Sequence, residues 1–264
     1  MVKHVALVAL ILCLRRKEKP FCVVDAHAGA GLYDLGGAQA ARTGEAEQGI
    51  ARLGDLEGPS APPAMRTYLD IVRAEGTNRY PGSSRIAARL LRPQDRLVAI
   101  EEHPGEAAAL RVALADFRNA RVVEGDAREQ LPALLPPPER RGLVLIDPSY
   151  EAADEFERIA ELLAKAHRRF ATGIYLLWFP IKSTRAADAL SGEVRAWGVG
   201  PALRLDFDVG AAPAAEKDRL SAAGLLVVGP PYGFEAEMDA AMAALAPRLG
   251  RTPAQPARFS LVRW

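Results

Sequence analysis

The chain has 264 residues and 49% hydrophobic content, enough to bury the core of one large α/β domain or of a domain with a sizeable insertion. Lys plus Arg (34) nearly balance Asp plus Glu (33), so a net charge of +1 excludes a protein that seeks polyanions with its whole surface and leaves any nucleic-acid contact to a local patch. The two cysteines, Cys13 and Cys22, form neither a CxxC pair nor a Cys/His cluster, which argues for buried free thiols in a reducing compartment and against structural zinc.

Lys3 followed by the apolar run Val5 to Leu14 imitates the start of a signal peptide, but Arg15-Arg16-Lys17-Glu18-Lys19 follows in place of a small-residue cleavage site. The run also falls well short of the ~20 residues that span a bilayer. It is expected to be a buried amphipathic helix with a solvated basic end, in a cytoplasmic protein. Past Pro20, Phe21 to Ala26 reads as a buried strand that runs into His27-Ala28-Gly29-Ala30-Gly31. Such small residues let a backbone turn sharply against a ligand, as after the first strand of a Rossmann unit. The spacing is not GxGxxG. A short Gly-x-Gly with an acid on the preceding strand suits S-adenosylmethionine, which has no pyrophosphate to cradle.

Residues 36 to 82 break the alternation. They lack strand character, contain a glycine-proline-rich stretch from Gly54 to Pro63, hold one helical segment from Met65 to Ala74, and are expected to form a helical insertion. A helix from Ser83 to Leu91 then carries Arg85, Arg89 and Arg92 on one side, expected as a solvated face. The strand Arg96 to Glu101 ends in an acid suited to ribose hydroxyls; it lies 70 residues beyond Gly31, an interval the insertion explains. Alternation would turn Glu102 the other way. A helix from Gly105 to Phe117 leads to a third strand ending in Gly125-Asp126-Ala127, where a carboxylate could accept an adenine amine.

A fourth strand, Leu143 to Ile146, opens into Asp147-Pro148-Ser149-Tyr150. An acid, a proline-held carbonyl and an aromatic at such a strand end can receive the two N–H bonds of an exocyclic amine and stack on the base that carries it. Gly229-Pro230-Pro231-Tyr232 also follows a strand, but glycine offers the amine no side-chain acceptor, so it reads as a structural turn. The remaining pieces are a helix from Glu155 to Ala166, a strand Gly173 to Phe179, a helix Arg185 to Arg195, and strands Ala202 to Val209 and Gly224 to Val228. Alternation predicts a single α/β domain over residues 1–264, a class I Rossmann-like fold with a mostly parallel sheet covered by helices, and a ligand crevice at the strand carboxyl ends. Asp25, His27, Glu101, Asp126 and Asp147 all fall on that rim.

Val2-Lys3-His4, Asp25 to Gly31, Arg42-Thr43-Gly44-Glu45, Tyr80-Pro81-Gly82-Ser83, Glu101-Glu102-His103-Pro104, Arg140 to Tyr150 and Arg169 to Gly173 resemble the bacterial 23S ribosomal RNA adenine-N6 methyltransferases of the large subunit. The resemblance covers nearly the whole chain. It implies a monomeric Rossmann-like enzyme that transfers a methyl group from S-adenosylmethionine to N6 of one adenine in 23S rRNA, protein-free or early in assembly. His4, His27, Ser83, Glu101, Asp126 and Ala127 would line the cofactor site, Asp147 would be catalytic, and Tyr150 would stack on the unstacked target base. No metal is implied, because the sulfonium already supplies the leaving group. The family usually has two prolines after its Asp, where this chain has Pro148-Ser149, and carries a short Tyr/His/Asn-containing segment ahead of the Lys-His helix, about where this sequence begins. The alternatives weighed are a non-catalytic RNA-binding or ribosome-assembly factor of the same fold, a DNA adenine-N6 methyltransferase, and an NAD-type oxidoreductase. The last lacks both GxGxxG and a Tyr-x-x-x-Lys pattern.

Overall fold

A computed structural model describes residues 1–36, 51–53, 56, 61–152, 154–198, 200–210, 220–251 and 255–264. The helices are α1 (Val2–Arg15), α2 (Pro63–Ala74), α3 (Ser83–Leu90), α4 (Pro104–Ala113), α5 (Ala127–Leu134), α6 (Glu155–Arg169), α7 (Thr184–Ala196) and α8 (Phe234–Leu249). The strands are β1 (Cys22–Asp25), β2 (Leu32–Asp34), β3 (Arg79–Pro81), β4 (Arg96–Glu101), β5 (Ala120–Glu124), β6 (Gly142–Ile146), β7 (Ile174–Pro180), β8 (Ala202–Asp208), β9 (Ala222–Val228) and β10 (Arg258–Arg263).

Eight strands form one sheet in the order β10-β8-β9-β7-β6-β1-β4-β5. From β7 to β5 the pairing is parallel, with Asp25 beside Ala99 and Leu145. β9 runs antiparallel to both β7 and β8, and β10 antiparallel to β8. This is the expected α/β class with a mostly parallel sheet. Alternation along the strands divides the core in two. Val23, Leu97, Ala99, Leu143 and Leu145 pack with α1, α2, α3 and α8. Val24, Val98, Val144 and Ile146 pack with Leu131, Ile159, Leu163, Leu190 and Val194 of α5, α6 and α7. Asp25, Glu101 and Asp147 continue the first series by register, so their side chains rise at the strand ends on the α1 side.

Four expectations change. Helix α1 is not amphipathic: ten of its fourteen residues are buried, because α2, α3, α8 and the sheet surround it. The segment before Ser83 contains a strand, β3, which pairs antiparallel with β2 through Tyr33 and Tyr80. The Arg85–Arg92 stripe is ion-paired: Arg85 and Arg89 hold Glu75 at 2.9 and 2.8 Å, and Arg92 holds Asp95 at 2.8 Å. Finally, α8 and β10 lie beyond the last expected strand. The spacing of buried Phe234, Met238, Ala241, Met242 and Leu245 marks α8 as a helix face.

Within the expected insertion, the described residues comprise a 3-10 turn Ala51–Leu53, helix α2 and strand β3. Residues 37–50, 54–55 and 57–60, including most of the glycine-proline-rich stretch and Arg42-Thr43-Gly44-Glu45, lie outside the described residues. Among the described residues, no helix is long and apolar enough to cross a membrane.

Candidate active site at the carboxyl rim of the sheet

Strand β1 delivers Asp25, 1% exposed, to the floor of the rim. Its Oδ2 accepts hydrogen bonds from the Ser83 and Ser84 hydroxyls at 2.6 and 2.7 Å, both on the first turn of α3. Burial pushes the Asp25 carboxyl above its ordinary range against those two bonds. Its Oδ1 is buried and has no partner among the described residues. After β1 the chain turns through Gly29 and Gly31, at φ of 61° and 76°. The positive φ favours glycine at both positions, and a Cβ on Gly29 would also displace the Tyr33 hydroxyl, which lies 2.2 Å from that point.

Glu101 closes β4. Its Oε2 accepts the Gly29 N–H at 2.8 Å and its Oε1 the His103 N–H at 2.9 Å, so this carboxylate shapes the glycine turn directly. Glu102, one residue on, is exposed. Asp126 caps α5, taking the Arg128 N–H at 2.7 Å and the Arg128 guanidinium on both oxygens, and Ala127 is the buried first residue of that helix. His27 accepts the Asp147 N–H on Nδ1 at 3.3 Å, which leaves its proton on Nε2. Burial lowers its pKa to about 4 although Asp147, Glu101 and Asp126 pull it up, and Lys3 opposes them.

Asp147 follows β6 with its carboxylate half-buried and ion-paired to the Lys3 ammonium from the first turn of α1. Pro148 is buried and Ser149 exposed. Tyr150 has a φ of 54°, a left-handed conformation that costs a bulky side chain about 1–2 kcal/mol. Its hydroxyl donates to the Trp178 carbonyl at 2.8 Å, and its ring lies 5.0 Å from Phe156 and 5.9 Å, edge-on, from Trp178. The strained loop is thus tied to β7. His4, one residue past Lys3, is 6% exposed; its Nδ1 lies 2.8 Å from the Tyr80 hydroxyl and its Nε2 has no partner among the described residues.

Asp25 and Glu101 end β1 and β4, and His27, Asp126 and Asp147 follow β1, β5 and β6, so all five stand at the carboxyl ends of parallel strands. Lys3, Ser84 and Tyr80 belong to the same constellation and were not singled out as site residues. Their signals were faint: a lysine beside His4 at a helix start, and a second serine beside Ser83. Gly229 to Tyr232 follows β9, which runs antiparallel, so this turn emerges at the opposite edge of the sheet, where the Arg16 guanidinium donates to the Tyr232 carbonyl.

A parallel sheet with a glycine turn after β1, an acid closing β4 and an Asp-Pro loop after β6 defines a class I, Rossmann-like methyltransferase. The family model described as ribosomal RNA large subunit methyltransferase D, RlmJ, matches residues 18–260, and the chain belongs to that family. It is 37% identical to the ribosomal RNA large subunit methyltransferase J of Escherichia coli K12 over 90% of this chain and 85% of that protein. With the protein of the same name from Haemophilus influenzae the identity is 34% over the same shares. Among solved structures, protein LPL1258 of Legionella pneumophila superposes with a TM-score of 0.87 at 29% identity, over 99% of this chain and 95% of that one.

The methyl donor of the class is S-adenosylmethionine, and the rim suits it. Asp25 Oδ1 and His4 Nε2 are buried polar atoms without a partner among the described residues, as a ligand with both charged and hydrogen-bonding groups requires. The glycine turn gives its backbone close approach.

Proposed function

We propose that this chain methylates N6 of an adenine in 23S ribosomal RNA, with Asp147 as the catalytic residue. The observation that carries the reading is the place of Asp147: a half-buried carboxylate past a central parallel strand, on the same side of the sheet as Asp25 and Glu101. The comparisons support the substrate through the names of the family and its curated members.

Bound S-adenosylmethionine supplies an electrophilic methyl on a sulfonium. What the chain must supply is a competent nucleophile, because the N6 lone pair is delocalised into the adenine ring. Lys3 holds Oδ2 of Asp147, and Oδ1 receives an N6–H. That bond aims the amine's lone pair along the line of transfer; as the new C–N bond forms and the C–S bond breaks, the surplus N6 proton passes to the carboxylate. Tyr150 offers a ring face to the base, with its own hydroxyl anchored on Trp178 so that the ring is preset. Asp25, His4, His27, Ser83, Glu101, Asp126 and Ala127 line the cofactor side. Glu101 suits the ribose hydroxyls and Asp126 the adenine amine, the latter in exchange with Arg128.

The protein is read as one Rossmann-like domain, residues 1–264, with a helical insertion at 36–82. It acts in the cytoplasm as a monomer on 23S rRNA that is protein-free or early in assembly. The test is incorporation of a tritiated methyl group into unmethylated 23S rRNA, with nuclease digestion to identify the product. N6-methyladenosine is expected, and Asp147→Ala should reduce the rate about 10²–10⁴-fold with cofactor binding retained. Full activity of Asp147→Ala would remove the catalytic assignment.

A further inference from the structure

His4 lies in a chain of three side chains drawn from three elements, His4 and Tyr68 buried and Tyr80 partly buried. Tyr68 of α2 is fully buried, and its hydroxyl lies 2.9 Å from that of Tyr80 on β3. The Tyr80 hydroxyl lies 2.8 Å from His4 Nδ1 on α1, with the two rings stacked at 5.6 Å and 30°. The far nitrogen, His4 Nε2, is buried and has no partner among the described residues.

The direction of the protons follows from satisfying each group. Burial, together with the neighbouring Lys3 and N-terminal charges, holds His4 well below its ordinary pKa, so the ring is neutral and carries one proton. If that proton were on Nδ1 it would point at Tyr80, Tyr80 would donate to Tyr68, and the Tyr68 hydrogen would have no acceptor in a fully buried position. Nε2 would then be a bare acceptor. If instead Tyr68 donates to Tyr80 and Tyr80 donates to Nδ1, every hydroxyl proton is used and the histidine proton stands on Nε2. Each arrangement leaves one buried donor over, the Tyr68 hydroxyl in the first and His4 Nε2–H in the second; only the second can be satisfied by an acceptor on the cofactor, and relieving an unsatisfied donor, worth about 1–3 kcal/mol, decides for it in the complex.

We propose that Tyr68 and Tyr80 are positioning residues that fix His4 as the Nε2–H tautomer, presenting one hydrogen-bond donor to an acceptor of the cofactor. The chemistry of the cofactor names its amino-acid carboxylate as the partner that rewards a lone donor most, since bonds to charged acceptors are stronger. This rests on the reading of His4 as a cofactor residue. It adds that the segment between β2 and α3, which brings both tyrosines, helps tune the cofactor site.

The experiment uses the whole chain labelled with ¹⁵N-histidine, with the His4 signals assigned by their loss in His4→Gln. Long-range ¹H–¹⁵N correlation at neutral pH with S-adenosylmethionine bound should show Nε2 protonated and Nδ1 as acceptor; a protonated Nδ1 would overturn the proposal. Tyr80→Phe should turn that signature into a tautomer mixture and weaken S-adenosylmethionine binding about three- to tenfold, the share of one lost neutral hydrogen bond. In the His4→Gln background there is no imidazole tautomer to fix, so adding Tyr80→Phe should change affinity less than about twofold relative to His4→Gln alone. Equal losses in both backgrounds would mean that Tyr80 acts through packing alone, and the proposal would fail. His4→Ala separates the two layers: cofactor affinity unchanged in this variant removes His4 from the site whatever the tautomer.

Discussion

Two short proline turns ending in tyrosine, Asp147 to Tyr150 and Gly229 to Tyr232, each follow a buried apolar strand, yet they lie at opposite edges of the sheet. β6 runs parallel to β1 and opens onto the rim that holds Asp25 and Glu101. β9 runs antiparallel to β7, pairing Val228 with Tyr175 near the start of that strand, so its exit faces away from the rim. Tyr150 is packed and anchored; Tyr232 is 97% exposed. A local motif therefore acquires chemical meaning only from strand direction and from what stands beside it.

The largest expected effect tests that contrast directly. Asp147→Ala should lose about 10²–10⁴ in methyl-transfer rate. Gly229→Asp makes the second turn closer in composition to the first. Added to Asp147→Ala it should restore nothing above background in the tritium assay, because the new carboxylate faces the wrong edge. Measurable rescue would break the distinction between the two turns.

Much of the rim was legible because strand ends announce themselves: Val23-Val24-Asp25, Ala99-Ile100-Glu101 and Leu145-Ile146-Asp147 each end a β-branched or apolar run with an acid. Alternation chose Glu101 over Glu102, and the structure has Glu101 buried and Glu102 exposed. What the sequence hid was relational. Nothing in Ala222 to Val228 states that the strand runs backwards. Three-residue strands such as Leu32–Asp34 and Arg79–Pro81 carry no period to read, and are defined by each other. Arg85 and Arg89 read as solvated because Glu75, their partner, lies in the preceding segment with nothing local to mark the contact, whereas Asp95, the partner of Arg92, stands three residues away. Helix α8 is the opposite case: its heptad-like apolar face was present in the sequence and was passed over.

The second test concerns what distinguishes the buried rim from the exposed edge under acid. His27 is lowered to about 4 chiefly by burial, so between its ordinary value of 6.5 and 4 the unfolded chain binds a proton that the folded chain refuses. Stability from this group is complete above the higher value and falls as pH drops through the window, by at most about 3 kcal/mol. Urea midpoints for wild type and His27→Gln should diverge less at pH 4.5 than at pH 7, since the variant lacks this titration; parallel curves would mean that the imidazole is solvated. Next in size, Arg85→Ala should lower stability by about 1–2 kcal/mol, because Glu75 is 3% exposed and would keep only Arg89. The same change should leave the salt dependence of RNA binding unaltered, as a residue that touches no phosphate requires.

The smallest effect returns to the two tyrosines and isolates their hydroxyls. Tyr150→Phe removes the bond to the Trp178 carbonyl and leaves that acceptor short of a partner in a half-buried place, at a cost of about 1 kcal/mol in the urea midpoint. The ring remains wedged against Phe156 and Trp178, so binding of the target base should weaken only through the loss of preset orientation: KM for RNA rises a few-fold while cofactor affinity holds. Tyr232→Phe removes a hydroxyl from a residue in full contact with solvent and should stay within about 0.5 kcal/mol of wild type with both constants unchanged. If the two variants proved indistinguishable, the anchor on β7 would have no part in holding Tyr150 in its left-handed conformation, and the difference between the turns would reduce to Asp147 alone.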